Sequence, residues 1–363
     1  MALTCHFVQA QQQQSREIQL GDNTYYLSSI ELAPDGKTLA IGTAKGNLIF
    51  WNIESQQVER KFVFEGFGDG AYMNYSPDGR YLLLLEQYFT DWRLNKDRPS
   101  RAAVVDVASG TIVFTKEGVH AAAFTPDSHS LVTLQGDAIT FWNITSGASE
   151  KTFRPPNISN SFCVTSDGTS IVVAQRPTEA DLKSIPSIRN DKTAIKEALK
   201  YREIAVFYDT KDFKRQFMVN DILDIVFSMH MSPDGKNLYL FNAPNTKFRS
   251  TGGSARNAYI QVANIANGEV SRTMFSTNAA EPIYKESPNG LYFAVTSVEH
   301  QQTVANSLLI FDRESGENLK RFKNDIRLLE NKVFGRACFA FLPDQKTIAL
   351  GYGNRLVLWS FEE

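Results

Sequence analysis

Residues Ser28–Asn52 read SSIELAPDGKTLAIGTAKGNLIFWN. The run Ile30–Ala33 leads into Pro34-Asp35-Gly36, Leu39–Ile41 reaches Lys45-Gly46-Asn47, and Leu48–Trp51 ends on Asn52. Proline presets the φ of a tight turn and glycine tolerates φ > 0, so the stretch reads as three short antiparallel strands joined by turns. The pattern recurs seven times. Its turns centre on Asp35, Asp78, Asp127, Asp167, Asp234, Asn289 and Asp344, and its third strands end on Asn52, Asp106, Asn143, Asp209, Asn264, Asp312 and Ser360. Four repeats keep a glycine turn after that point, and a fourth strand follows, as in Val58–Phe64, Glu150–Phe153 and Asn318–Phe322.

The bulk properties set limits. The chain has 363 residues, 42% hydrophobic and 21% charged, the balance of an ordinary globular protein. A net charge of −2 excludes a uniformly basic nucleic-acid binder but leaves room for a local basic face. Cys5, Cys163 and Cys338 form no CxxC pair, which argues against a disulfide framework or a structural zinc site and fits a reducing compartment. No apolar run approaches the roughly 18 residues of a membrane-spanning helix. The opening MALTCHFVQAQQQQ lacks the basic and apolar regions of a secretory leader. A cytoplasmic protein with no membrane association is expected.

With its seven turns, and with Trp51, Trp142, Tyr208, Phe311 and Trp359 just before five of the third-strand ends, the chain resembles the WD-repeat propeller family over almost its whole length. The resemblance implies an all-β fold, a seven-bladed β-propeller of four-stranded antiparallel blades around a central channel. It is a divergent likeness: the Gly-His before the first strand is missing from most repeats, and Trp-Asp becomes Trp-Asn or Trp-Ser. The family's hydrogen-bonded tetrad has a near match only in His120, Thr133, Asp137 and Trp142. Trp142 is therefore expected to be structural, packed between blades 3 and 4, in a ring held mainly by apolar contacts.

The last repeat stops at Phe361 after its third strand. Arg16–Leu20, REIQL, alternates as a strand should. Leu20 precedes Asp35 by 15 residues, while Phe153 and Phe275 precede their own turn residues by 14. This spacing predicts that Arg16–Leu20 completes the last blade beside Leu356–Trp359. The expected organisation is a disordered lead-in over 1–14 and one propeller domain over 15–363.

From turn residue to third-strand end the distances are 17, 28, 16, 42, 30, 23 and 16 residues. The added length lies between the second and third strands of blades 2, 4, 5 and 6. Strand direction alternates, so these insertions are expected on one face of the disc, opposite the short turns. In blade 2, Gln87–Arg101 carries Tyr88, Phe89, Trp92, Arg93, Lys96, Arg98 and Arg101, for a net +2. In blade 4, residues 176–202 carry net +3 and include a predicted helix with Asn190 or Asp191 near its N-cap. Lys192, Lys196 and Lys200 share one face of that helix, and Ile195 and Leu199 another. In blade 5, residues 242–257 carry Lys247, Arg249 and Arg256 without an acid.

Three function classes follow. A non-catalytic protein–protein interaction scaffold, as the family resemblance implies, would present this basic, partly aromatic face to an acidic or phosphorylated peptide or protein. The same face could instead stack and neutralise RNA or another single-stranded nucleic acid. A propeller hydrolase or lactonase needs convergent carboxylates or histidines around a metal. The inner strands offer Glu31, Asn74, His230 and Glu286, with His230 between Met229 and Met231. No enzyme activity, cofactor or metal is expected on these grounds, and the scaffold reading leads.

Overall fold

The structure, a computed structural model, describes residues 15–18, 20, 27–43, 46–64, 67, 71–86, 89–90, 93–94, 100–232, 234–243, 258–277, 283–298, 306–323, 338–352 and 354–361. Its repeating unit starts from the turn. In each repeat the turn aspartate or asparagine accepts the backbone N–H two residues on, as from Lys37 to Asp35 at 2.9 Å and from Arg80 to Asp78 at 3.0 Å. In five turns a Ser or Thr two residues earlier donates to that side chain: Ser76, Thr125, Thr165, Ser232 and Ser287. Those hydroxyls hold Asp127, Asp167 and Asp234 below the usual carboxylate range. The next residue takes positive φ, and glycine fills it in five repeats. Ser128 and Gln345 fill it in blades 3 and 7, at φ 57 and 63. Their side chains reach the preceding blade's turn, accepting from the N–H of Asp78 and Asn289 at 3.1 and 3.0 Å. These bonds tie the short turn of blade 2 to that of blade 3, and that of blade 6 to that of blade 7.

Seven four-stranded antiparallel sheets result. Strand β1 is Ser15–Ile18. Blade 1 is β2 (Leu27–Leu32), β3 (Thr38–Thr43), β4 (Asn47–Asn52) and β5 (Gln57–Val63). Blade 2 is β6 (Tyr72–Tyr75), β7 (Tyr81–Leu85), β10 (Arg101–Asp106) and β11 (Thr111–Glu117), with a hairpin, β8 (Phe89–Thr90) and β9 (Arg93–Leu94), between its second and third strands. Blade 3 is β12 (Ala121–Phe124), β13 (Ser130–Gln135), β14 (Ala138–Asn143) and β15 (Ser149–Phe153). Blade 4 is β16 (Ile158–Val164), β17 (Ser170–Gln175), β18 (Ile204–Asp209) and β19 (Arg215–Met218), with helices α1 (Glu179–Ser184) and α2 (Lys192–Tyr201) inserted before β18. Blade 5 is β20 (Ile225–Met231), β21 (Asn237–Ala243), β22 (Ala258–Asn264) and β23 (Val270–Thr277). Blade 6 is β24 (Tyr284–Glu286), β25 (Tyr292–Val298), β26 (Asn306–Asp312) and β27 (Asn318–Lys323). Blade 7 is β28 (Cys338–Phe341), β29 (Thr347–Tyr352) and β30 (Arg355–Ser360), completed by β1.

The second and third strands of each blade are apolar on both faces because a neighbouring blade covers each. Leu82, Leu83, Val104, Ile171, Val172 and Val206 are fully buried. The outer strands are exposed edges, and in blades 1 to 6 each carries a bulge that breaks the ladder. The bulged residue lies seven positions after the third-strand end. Where that end is Asn52 or Asn143, the bulged residue is Glu59 or Glu150, and the amide donates to the carboxylate at 2.8 and 3.2 Å. Where it is Asp106, Asp209 or Asp312, the bulged residue is Val113, Gln216 or Leu319 and never an acid.

The ring closes as the spacing predicts. Ser15, Arg16, Glu17 and Ile18 pair with Trp359, Leu358, Val357 and Leu356, and Ile18 and Leu20 are buried against blades 7 and 1. A second tie spans the same junction. Lys285 of β24 reaches past blade 7 to the Glu31 carboxylate and the Ile30 carbonyl of β2. Both side chains are four-fifths buried, at 19% and 18% exposure. Burial pushes the Glu31 carboxyl up, and the Lys285 ammonium pulls it back.

A chain lacking residues 1–20 loses β1 and bares the outer side of β30. It is expected to melt well below the full chain and to aggregate on light scattering, since an open sheet edge recruits other chains; equal melting curves would refute the closure. Lys285→Met keeps the volume and strands Glu31, and should cost about 2 kcal/mol or more in urea denaturation.

Candidate functional site

Two places gather functional groups. The first is the channel wall. The residues four before each turn residue are Glu31, Asn74, Ala123, Cys163, His230, Lys285 and Ala340, one per inner strand. Equal spacing from equivalent turns puts them at one level of the ring. Three of the four inner-strand candidates from the sequence, Glu31, Asn74 and His230, belong to this level. Lys285, which engages Glu31, was missed. Glu286 stands one residue off, between blades 5 and 6. There it accepts from Tyr284 Oη at 2.6 Å and lies 4.0 Å from Arg313, which also donates to Tyr239 Oη at 2.7 Å. Burial raises the Glu286 carboxyl.

The side chain of His230 is exposed on the channel wall. Its Nε2 lies 2.8 Å from Ser228 Oγ, and its ring meets Phe241 and Tyr284 at centroid distances of 5.4 and 5.7 Å. Desolvation, then the Lys285 charge, pushes its pKa down to about 4. Burial likewise pushes the Cys163 and Cys338 thiols up to about 12, so both stay protonated. The wall therefore holds a neutral imidazole, a carboxylate already engaged by an ammonium and two unreactive thiols.

The second place is the insertion face. The blade 4 insertion is folded and anchored. Thr178 and Asp181 form a capping box at α1, and Asp181, 4% exposed, pairs with Arg215 of β19 at 2.6 Å. Asp191 caps α2 through the N–H groups of Thr193 and Ala194. Arg176 donates to the carbonyls of Lys200 and Arg202 at the other end. Ile195 and Ala198 sit in the core shared by blades 3 and 4. Leu199, expected beside Ile195, is 38% exposed, because Ala198 takes the inward position.

The insertion's cations divide by use. Lys183 pairs with Glu179, and Arg202 pairs with Asp224, which also accepts from Tyr259 Oη at 2.6 Å. Lys192, Lys196 and Lys200 are exposed, and none pairs with a described carboxylate. Exposed Arg189, just ahead of α2, is likewise unpaired and was not singled out in the sequence.

In blade 2, Phe89 and Arg93 lie on the paired backbones of β8 and β9. Strand β9 comes within 8 Å, Cα to Cα, of β20. Blades 2 and 5 stand on opposite sides of the ring, so this hairpin crosses the channel mouth. The Arg101 guanidinium lies 4.1 Å over the Phe67 ring, packed against the wall. Tyr88, Trp92, Lys96, Arg98, Lys247, Arg249 and Arg256 lie outside the described residues.

The third repeat forms part of its expected tetrad. Trp142 donates to Thr133 Oγ1 at 2.9 Å, whereas Asp137 is 78% exposed and faces Arg154 at 3.8 Å. Trp142 packs between blades 2 and 3, against Phe114 and under Lys116, and not between blades 3 and 4 as expected. Side chains alternate along a strand, and Phe141 already takes the blade 4 side.

No protein-family model matches the chain, and no curated protein matches it in sequence. Among solved structures, the β-propeller domain of Cps50 (Swd1) from Myceliophteria thermophila matches with a TM-score of 0.65 at 15% identity, over 96% of this chain and 98% of that one. This likeness shows the fold.

An imidazole with a depressed pKa is protonated first in the unfolded chain. The stability it contributes is full above about pH 6.5 and falls as the pH drops toward 4. His230→Gln should flatten the loss of urea midpoint between pH 7 and pH 5; an unchanged slope would contradict the lowered pKa. Trp142→Ala should cost about 2 kcal/mol, below the roughly 3–5 kcal/mol of a fully enclosed aromatic, because the residue is only partly buried.

Proposed function

We propose that the protein is a non-catalytic interaction scaffold that binds an acidic or phosphorylated protein through its insertion face. The observation that carries the reading is the row of Lys192, Lys196 and Lys200. They are exposed and unpaired on a helix whose own fold uses none of them. A rigid helix holds these charges in place before binding, so little ordering cost falls on association. The likeness to a propeller domain of similar length supports a platform role. The channel groups support it too: the Glu31 carboxylate is engaged by Lys285 and is not free to act as a base. Cys163 and Cys338 are free thiols, in keeping with a reducing, cytoplasmic setting.

The reading is tested by affinity capture from native extract, with the wild type beside the variant Lys192→Glu, Lys196→Glu, Lys200→Glu. Exposed charges contribute little to folding, so the melting temperature should stay within about 2 °C. Recovery of the bound proteins should fall at least about tenfold, a loss of about 1.4 kcal/mol. Full recovery by the variant would overturn the reading. Recovery of RNA, lost steeply on raising salt, would replace it with nucleic-acid binding.

A further inference from the structure

We infer that the partner presents an acidic amphipathic helix, which lies along α2 with its carboxylates on Lys192, Lys196 and Lys200 and an apolar side chain on Leu199. The inference rests on the scaffold reading and specifies the partner's shape.

Three observations carry it. The first is periodicity. The lysines recur every four residues, which at 1.5 Å per residue spaces their roots about 6 Å apart along the axis. Carboxylates four residues apart on a neighbouring helix repeat at the same distance, so three pairs can form in register along the row. The second is Leu199. It is three residues from Lys196 and seven from Lys192, which puts it at the border of the lysine row on the same exposed side. It is one of seven large exposed apolar side chains among the described residues and the only one on a helix. A nucleic-acid backbone offers phosphates and ribose to such a row but no apolar side chain to its border. A helix with apolar residues beside its acids offers both.

The third observation is that the nearby acids leave the row alone. Asp191 is occupied by capping the helix, Asp181 by Arg215 and Glu179 by Lys183. Glu197, three residues before Lys200, forms no ion pair with it. The charge on α2 is therefore not neutralised from within. Its opposite face is fixed by Ile195 and Ala198 in the blade 3–4 core, so the row cannot turn away from solvent. A flat helical platform with a basic centre and one apolar border fits the reversed pattern on a partner helix.

The test uses the full chain and three fluorescent probes. One is a 15-residue peptide with Glu at i, i+4 and i+8 beside Leu at i+7, made helical by Ala at the remaining positions. The second has the same composition with two central alanines replaced by proline. The third is oligouridylate of matched charge. At 0.15 M salt the helical peptide should bind at least about tenfold tighter than the proline peptide. The variant Lys196→Glu, Lys200→Glu should lose that binding, and Leu199→Ser should weaken it severalfold while retaining its salt dependence. A carbodiimide cross-link should join the helical peptide to Lys192, Lys196 or Lys200. Equal binding of the two peptides would overturn the helix and leave the acidic-partner reading standing. Tighter binding of oligouridylate, or no binding of either peptide above a neutral control, would overturn both. The double-Glu variant must keep the wild-type melting temperature, and Lys196→Gln with Lys200→Gln serves as the milder check on folding.

Discussion

The ring depends on one non-covalent junction. At six places the chain itself carries the outer strand of one blade into the inner strand of the next. At the seventh, β1 leads in the same way into β2, but within blade 7 no turn joins the third strand to the fourth, and β1 covers the edge of β30 through hydrogen bonds alone. Four residue pairs make that contact. Two features reinforce it: the burial of Ile18 and Leu20 in the core shared by blades 7 and 1, and the Lys285–Glu31 tie across the channel. The tie is a buried ion pair, a costly device to place in a protein interior, and here it links the two blades that flank the junction.

Much of this was legible in the sequence because turns are local. Pro-Asp-Gly and its variants fix the register of every blade, and register fixes which residues face the channel. Counting back from the turns was enough to find Glu31, Asn74 and His230. The same count, applied strictly, would have added Lys285 and set Glu286 aside. What the sequence concealed is pairing between distant segments. Arg202 and Lys183 count toward a basic insertion but are engaged by Asp224 and Glu179, so less of the charge faces outward than the tally suggested. The inward choice of Ala198 over Leu199 and the side taken by Trp142 were equally hidden, because periodicity names a face and not its neighbour.

The blade 4 insertion shows how a rigid disc gains a specific surface. Its helices are capped at both ends, tied to the outer strand through Asp181 and Arg215, and rooted in the core between two blades. The polar groups that hold it are distinct from those it presents. Substitution of the presented lysines therefore leaves the scaffold alone, which is the arrangement expected when a surface is free to change while its support is not.

The outer-strand bulges constrain how the repeats could drift apart. The residue ending a third strand and the bulged residue seven positions later share one small space. An amide in the first position accepts a glutamate in the second; a carboxylate there does not, since two like charges would meet at hydrogen-bond distance. Asn52 with Glu59 and Asn143 with Glu150 are thus matched couples, whereas Asn264 is followed by Ser271. A lone Asn-to-Asp change at position 52 or 143 sets a second carboxylate against Glu59 or Glu150, and that penalty lasts until the glutamate is also replaced.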